Sequence, residues 1–370
     1  MNTAKQKISD LLALADIKIN GSQPWDLIVH NENFYQRVLA QGALGLGESY
    51  MDGWWDCQQL DVMITKIIQA NIHKKIFSWN LFGDFLLAKI RNSQNRKRAY
   101  QVAQEHYDLG NELYQAMLDS EMSYSCAYWQ QAANLDQAQS AKLALCCDKL
   151  QLKPGARVLD IGCGWGAFAR YAASKYHVQV DGITVSQEQV KYNQERNKGL
   201  SIDIKLQDYR LLTKEYDAII SIGMFEHVGY KNYQEFMQIV YRCLREGGLF
   251  LLHTIGGNTS VYSNDSWTGK YIFPNGMLPS PTQISKSISG LFVLEDWHNF
   301  GADYDKTLMA WYQNFQLHWP QIKQLYNERF YRMWNYYLLS CAGSFRARKN
   351  QLWQIVLAKG GVSGGYQSIR

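Results

Sequence analysis

No stretch of this 370-residue chain holds 18 consecutive apolar residues, so no segment of the sequence is expected to cross a bilayer as a helix. Residues 1–20 carry Lys5, Lys7, Asp10, Asp16 and Lys18 without the ordered regions of a secretory leader. The seven cysteines are odd in number and show no paired zinc-ligand spacing, which argues against a disulfide scaffold and against a metal centre. A reducing, cytoplasmic setting is the expectation. Charge is also sparse, at 19% of residues against 46% hydrophobic, so a substantial core is affordable. The length exceeds what one core usually organises, and two domains are expected.

What is present concentrates around residues 157–166. Arg157-Val158-Leu159-Asp160-Ile161 reads as a buried strand between a Pro154-Gly155 turn and a glycine run, Gly162-x-Gly164-x-Gly166. Glycines permit a tight turn and close backbone approach, and a helix starting near Ala167 would aim its free N–H groups at a ligand. The spacing departs from the dinucleotide pattern Gly-x-Gly-x-x-Gly. A second strand, 177–183, also lacks a terminal carboxylate for ribose hydroxyls: Asp181 lies inside it, leaving Thr184 and Gln189 as polar candidates. The glycine spacing favours the smaller S-adenosylmethionine over a dinucleotide. A third strand leads to Leu206-Gln207-Asp208-Tyr209, where Asp208 could accept a hydrogen from an adenine amino group. Strands at 216–221 and 247–253, with a helical face over 233–244, complete an alternation from about 150 to 260. The fold class expected is α/β: a doubly wound, Rossmann-like methyltransferase sheet with a small, mainly helical N-terminal domain.

The motifs His106-Tyr107-Asp108-Leu109-Gly110-Asn111, Tyr124-Ser125-Cys126-Ala127-Tyr128-Trp129 and 158–166 form an ordered set with three further runs. These are Gly182-Ile183-Thr184-Val185-Ser186, Gly223-Met224-Phe225-Glu226-His227-Val228-Gly229 and Phe345-Arg346-Ala347-Arg348, and an N-terminal Gly45–Trp55 stretch accompanies them. Together they resemble the cyclopropane-fatty-acyl-phospholipid synthases, a family of S-adenosylmethionine-dependent methyltransferases similar to the mycolic acid cyclopropane synthases. The resemblance implies a bicarbonate base held by Cys126, Glu226, His253, Tyr304 and the backbone N–H of Ile255. It also implies S-adenosylmethionine contacts from Tyr124, Ser125, Gly162, Gly164, Gly166, Thr184, Gln189, Gln207 and Asp208. Cys341 is expected beside the acyl pocket; covalent catalysis there is disfavoured, because the chemistry needs no acyl-enzyme and no base is recognisable nearby. His227 is expected to be structural.

The chemistry agrees with a mixed polar set. Methylating an isolated cis alkene leaves a carbocation, which must be shielded from water and then lose a proton to a positioned acceptor. An ionised Glu226 can accept bicarbonate's hydroxyl hydrogen, while His253, Tyr304 and Cys126 donate to the other oxygens, a charged His253 also offsetting the anion. A fatty-acyl C-methyltransferase giving a methyl or methylene branch keeps the same cofactor motifs. A basic nucleic-acid-binding protein is the non-enzymatic alternative, but it leaves positions 126, 226, 253 and 304 unexplained.

Residues 66–98 and 320–370 each hold eight Lys or Arg against one acid, a net +7 apiece, which leaves −9 for the rest of a chain whose total is +5. These segments are expected to attract anionic phospholipid headgroups. Between the first segment's cations, Ile76, Phe77, Trp79, Leu81, Phe82, Phe85, Leu86 and Leu87 read as an interfacial helix. The domains expected are 1–99 for lipid docking and dimerisation and 100–370 for catalysis. Unsaturated membrane phospholipid is the expected substrate, met by transient association with the inner face of the cytoplasmic membrane, with a homodimer and no nucleic-acid partner.

Overall fold

The computed structural model describes residues 3–72 and 110–370. The aromatic run 76–87, nearly all of the first basic segment, the motif 106–109 and the 99/100 boundary lie outside the described residues. The described residues form two compact units. One joins 110–261 with Asn275–Asp303 and Gln351–Arg370; the other joins 3–72 with Tyr262–Pro274 and Tyr304–Asn350.

The first unit is built on a seven-stranded sheet: β3 (Arg157–Ile161), β4 (Gln179–Thr184), β5 (Ile202–Leu206), β6 (Tyr216–Ile222), β7 (Leu244–Gly257), β8 (Val293–Asn299) and β9 (Asn350–Ala358). Their order is β5-β4-β3-β6-β7-β9-β8. β3 pairs in parallel with β4 and with β6, β6 in parallel with β7, and β8 antiparallel with β9. Alternation along the strands separates two apolar layers. Val158, Val180, Ala218 and Ile220 pack with Leu143 and Phe168 on one face, while Leu159, Ile161 and Ile219 pack with Phe236, Val240 and Ile284 on the other. Those partners come from helices Leu135–Lys149, Ala167–Tyr176, Tyr233–Cys243 and Pro281–Ile288. Both faces are therefore covered, as buried parallel strands require. The strand order reverses at β3, where β4 lies on one side and β6 on the other. That switch point places the loops after β3 and β6 side by side, the standard position for a ligand in such a sheet.

The alternation expected over 150–260 corresponds to β3 through β7. β8 and β9 were not anticipated. β9 enters between β7 and β8, and its apolar residues from Leu352 to Ala358 are all buried.

In the other unit, helices Thr3–Ala13, Asn33–Gln41, Ala43–Met51 and Leu60–Gln69 accompany a two-residue antiparallel pair, β1 (Ile28–Val29) and β2 (Trp55–Asp56). The long helices Ala302–Ile322 and Glu328–Arg346 belong almost wholly to this unit. Gly343 lets the second approach closely, since a Cβ there would stand 2.6 Å from the Asp61 carbonyl oxygen and 3.0 Å from Ile64 Cβ. Arg346 then reaches Asp61 at 2.6 Å and Asp305 at 2.9 Å. A single cut near residue 99 differs from this division: helices from late in the chain bury their apolar faces against early ones.

The second basic segment is less open than its composition implies. Arg329 pairs with Asp52, Arg332 with Asp56, Arg346 with Asp61 and Asp305, and Arg370 with Asp296. Half of its eight cations are therefore matched by carboxylates from elsewhere in the sequence.

Candidate functional site

The glycine turn is pinned at both ends. Gly162 and Cys163 donate backbone N–H bonds of 2.9 and 3.0 Å to Ile183 O at the end of β4. Gly162 has φ +83° and abuts Met224, which follows β6; a Cβ would lie 2.7 Å from Met224 Cβ. Gly166, at φ +81°, leaves room for Asn193, whose amide donates to Gly164 O at 2.9 Å and Gln189 O at 2.8 Å. Arg170 is a second brace, donating to Trp165 O at 2.6 Å and to Glu121 at 2.7 Å. Gly164 differs: a Cβ there meets no heavy atom of the described residues within 4 Å. The space beside Gly164 is thus open, just before the helix that starts at Ala167, although its carbonyl is held by Asn193. That suits close approach by a ligand.

The other residues expected to meet the cofactor lie around the same strand ends. Thr184 Oγ1 donates to Gln189 Oε1 at 2.6 Å, and Gln189 Nε2 is buried with no partner among the described residues. A stray buried amide donor is costly, so it fits an acceptor supplied by a ligand, such as a ribose oxygen. Gln207 donates its backbone N–H to Thr184 O at 2.9 Å. Asp208 is buried and bonded to the Arg210 backbone at 2.9 Å and its guanidinium at 3.0 Å. Its carboxylate is already partly engaged, a partner that sequence reading did not assign. Tyr124 is half-buried and meets Tyr114 edge-on at 5.3 Å, and Tyr114 packs on Trp165 of the glycine turn at 4.8 Å. Ser125 Oγ accepts a 3.0 Å bond from the buried Lys142 ammonium. Burial lowers the Lys142 pKa and raises that of the buried Asp160 to about 7, an increase that the lysine's charge opposes.

Across the switch point, the turn after β6 carries Glu226 and the far part of β7 carries His253 and Ile255. Glu226 Oε1 accepts the Ile255 N–H at 2.7 Å. The amide expected to serve an anion is therefore bonded to the carboxylate. Glu226 Oε2 is buried without a partner among the described residues, and burial raises the carboxyl pKa to about 7, the Ile255 bond opposing the rise. His253 is buried, its Nδ1 3.3 Å from Gln354 Nε2 and its Nε2 unpartnered among the described residues. Burial, reinforced by the charges of Lys142 and Lys149, pushes its pKa well down. His253 is accordingly a neutral imidazole, and the charged form considered from sequence is disfavoured. Cys126 is fully buried, its Sγ 3.2 Å from Ala127 O. His227 occupies the same short 3-10 turn as Glu226.

Tyr304 and Cys341 belong to the other unit. Tyr304 is buried, stacks on Phe345 at 4.5 Å and meets Trp311 edge-on at 6.0 Å. Burial drives the Cys341 thiol up to about 12, so it stays protonated at neutral pH and is a poor nucleophile. Cys341→Ser is expected to keep kcat within about twofold, as initial rates would register; a 100-fold loss with normal folding would reinstate covalent catalysis.

Sequence reading missed Lys142, Arg170, Asn193 and Gln354. All four are long or polar residues on helices or a strand, of a kind that sits in solvent far more often than in a core.

The fold and the switch-point site define a class I S-adenosylmethionine-dependent methyltransferase. The chain matches the mycolic acid cyclopropane synthetase family over residues 94–355 and belongs to it. The cyclopropane-fatty-acyl-phospholipid synthase of Escherichia coli strain K12 is 55% identical over 359 residues, covering 96% of this chain and 94% of that protein. A solved cyclopropane synthase of Mycobacterium tuberculosis superposes with a TM-score of 0.67 at 30% identity, over 73% of this chain and all of that one. A mycolic acid cyclopropane synthase solved with SAH and CTAB bound gives a TM-score of 0.67 at 32% identity, over 70% of this chain and 98% of that one.

Proposed function

We propose that the chain transfers a methyl group from S-adenosylmethionine to a cis double bond in a phospholipid acyl chain and closes a cyclopropane ring. The observation that carries the reading is the pair of buried atoms without a partner among the described residues, Glu226 Oε2 and His253 Nε2. One is an acceptor and the other a donor, and Ile255 ties Glu226 to the strand that carries His253. A small oxyacid that gives one hydrogen and receives another satisfies both, whereas a lone metal ion does not suit this set.

The electrons balance in two steps. The alkene π pair bonds to the methyl carbon as the carbon–sulfur bond breaks, leaving a carbocation and S-adenosylhomocysteine. The added methyl then gives up a proton, and the freed C–H pair closes the ring. Bicarbonate, when bound, supplies the proton acceptor. Glu226 in its ionised form accepts the oxyacid's hydroxyl hydrogen and so turns the other oxygens away from itself. His253, neutral, donates to one of those oxygens without titrating. Gln189 and the open turn at Gly164 hold the methyl donor. Residues of the two basic segments are proposed to dock the enzyme on anionic lipid at the inner face of the cytoplasmic membrane, and a homodimer is proposed as the working form.

The test is labelled S-adenosylmethionine with vesicles of cis-unsaturated anionic phospholipid. Expected products are heavier by one CH2 and show cyclopropyl protons by NMR, with turnover falling in bicarbonate-depleted buffer, recovering on its return, and declining as salt screens the docking. A methyl or methylene branch would establish the C-methyltransferase instead. Indifference to bicarbonate would remove the proposed base.

A further inference from the structure

Gln354 lies in the middle of β9, a strand apolar on both sides of it, and is fully buried. A primary amide there forfeits several water hydrogen bonds and needs a compensating partner. Its Nε2 stands 3.3 Å from His253 Nδ1 and 3.2 Å from Cys146 Sγ, and its Oε1 has no partner among the described residues. The opposite amide orientation would turn both N–H groups to the side where Oε1 meets no partner among the described residues, and two buried unmet donors are costlier than one bare carbonyl. An amide N–H directed at Nδ1 requires a lone pair on that nitrogen. The imidazole proton must then reside on Nε2, the atom without a partner among the described residues.

We propose that Gln354 is a positioning residue that fixes His253 as the Nε2–H tautomer, so that this imidazole can only donate to the bound oxyanion. The inference rests on the reading of His253 as an anion donor and adds a reason for its state. Burial deprives the ring of charge, and the ammonium groups of Lys142 and Lys149 act in the same direction. The neighbouring Cys146 thiol, pushed up to about 12 by burial, brings no negative charge to reverse this. Phe300 meets the ring edge-on at 5.9 Å and contributes no competing hydrogen bond. The neutral ring's one proton is thus placed by Gln354 alone among these neighbours.

Nitrogen-15 NMR of the full-length resting protein, with histidine labelled and the His253 signal assigned by its loss in His253→Gln, reads the tautomer directly. Wild type is expected to show a pyridine-type Nδ1 and a pyrrole-type Nε2. Gln354→Glu should reverse them, because a carboxylate accepts from Nδ1–H, and should lower kcat by about 100-fold or more while S-adenosylmethionine binding stays within about threefold, as wrong-tautomer defects do. Gln354→Leu, which keeps the strand apolar, should give mixed tautomers and an intermediate kcat. A wild-type proton on Nδ1, or an Nε2–H tautomer that survives in either folded variant with unaltered kcat, overturns the proposal. The tautomer is read without substrate or bicarbonate, so failure of the bicarbonate assay and failure of this inference are separate results.

Discussion

Glu226→Gln is expected to cut ring formation by about 100-fold or more, the scale of a lost acid–base partner, and to stabilise the protein above neutral pH. The activity loss follows because an amide cannot accept the oxyacid's hydrogen as a carboxylate does while leaving its neighbours undisturbed. The stability gain follows from linkage. Burial raises the folded-state pKa from 4.5 to about 7, so between those pH values the folded carboxyl keeps a proton that the unfolded chain has released. The folded state binds more protons in that window, and stability falls as pH rises through it. The loss is complete above pH 7 and on the order of 3 kcal/mol. A glutamine has no charge to bury and its Oε1 can still accept from Ile255. Urea unfolding of wild type and variant at pH 4 and pH 8 should therefore show a gap that opens only at the higher value. Asp160, raised in the same direction, slopes both proteins alike and cancels in the difference. Wild-type turnover should itself decline as pH drops through about 7, when Glu226 takes up its proton. Equal stability of the two proteins at pH 8 would show that no buried charge exists at this position.

Gly166→Ala is expected to weaken S-adenosylmethionine binding by about 100-fold and to cost about 2–4 kcal/mol of stability. The alanine must adopt φ +81°, and its Cβ would collide with Asn193 Oδ1. Asn193 cannot move freely, because its amide nitrogen bonds Gly164 O at 2.9 Å and Gln189 O at 2.8 Å. Displacing it loosens the open turn at Gly164 and Gln189 together. Calorimetric titration with the cofactor and urea unfolding give the two numbers. Gly155→Ala is the control for backbone strain alone: φ is +82° there too, but its Cβ meets nothing among the described residues within 4 Å. Similar cofactor affinity in both variants would detach Gly166 from the binding site.

Strands β3 and β6 were legible because a parallel strand buried on both faces prints as a short apolar run closed by glycine, whereas β5, at the sheet edge, is only partly buried and was placed by its position between its neighbours. The placing of Thr184 and Gln189 at the end of β4 was legible for a related reason, since the end of such a strand is where a polar group has a ligand to meet. β8 and β9 were not, for they pair across an interval of about 50 residues filled by two long helices, and nothing local announces that pairing. Lys142 and Gln354 were hidden differently. Their identity suggests solvent, and only the packing of helix Leu135–Lys149 and strand β9 into the interior turns an ammonium and an amide toward Ser125 and His253. The state of His253 was equally invisible, because a tautomer belongs to a neighbour 101 positions away.

The position of β9 also governs the order in which the molecule can be made. β7 must wait with one edge unpaired while about 90 further residues emerge, since the strand that covers it begins only at Asn350. Helices Ala43–Met51 and Leu60–Gln69 wait longer, for the partner helix that carries Gly343. A growing chain therefore cannot close either unit before the residues from Glu328 to Ala358 have emerged, and until then it presents an open sheet edge and uncovered apolar helix faces. Assembly is late and dominated by distant pairings, which makes it slow, and a chaperone that shields β7 should raise the yield of active enzyme more than one acting on the completed chain.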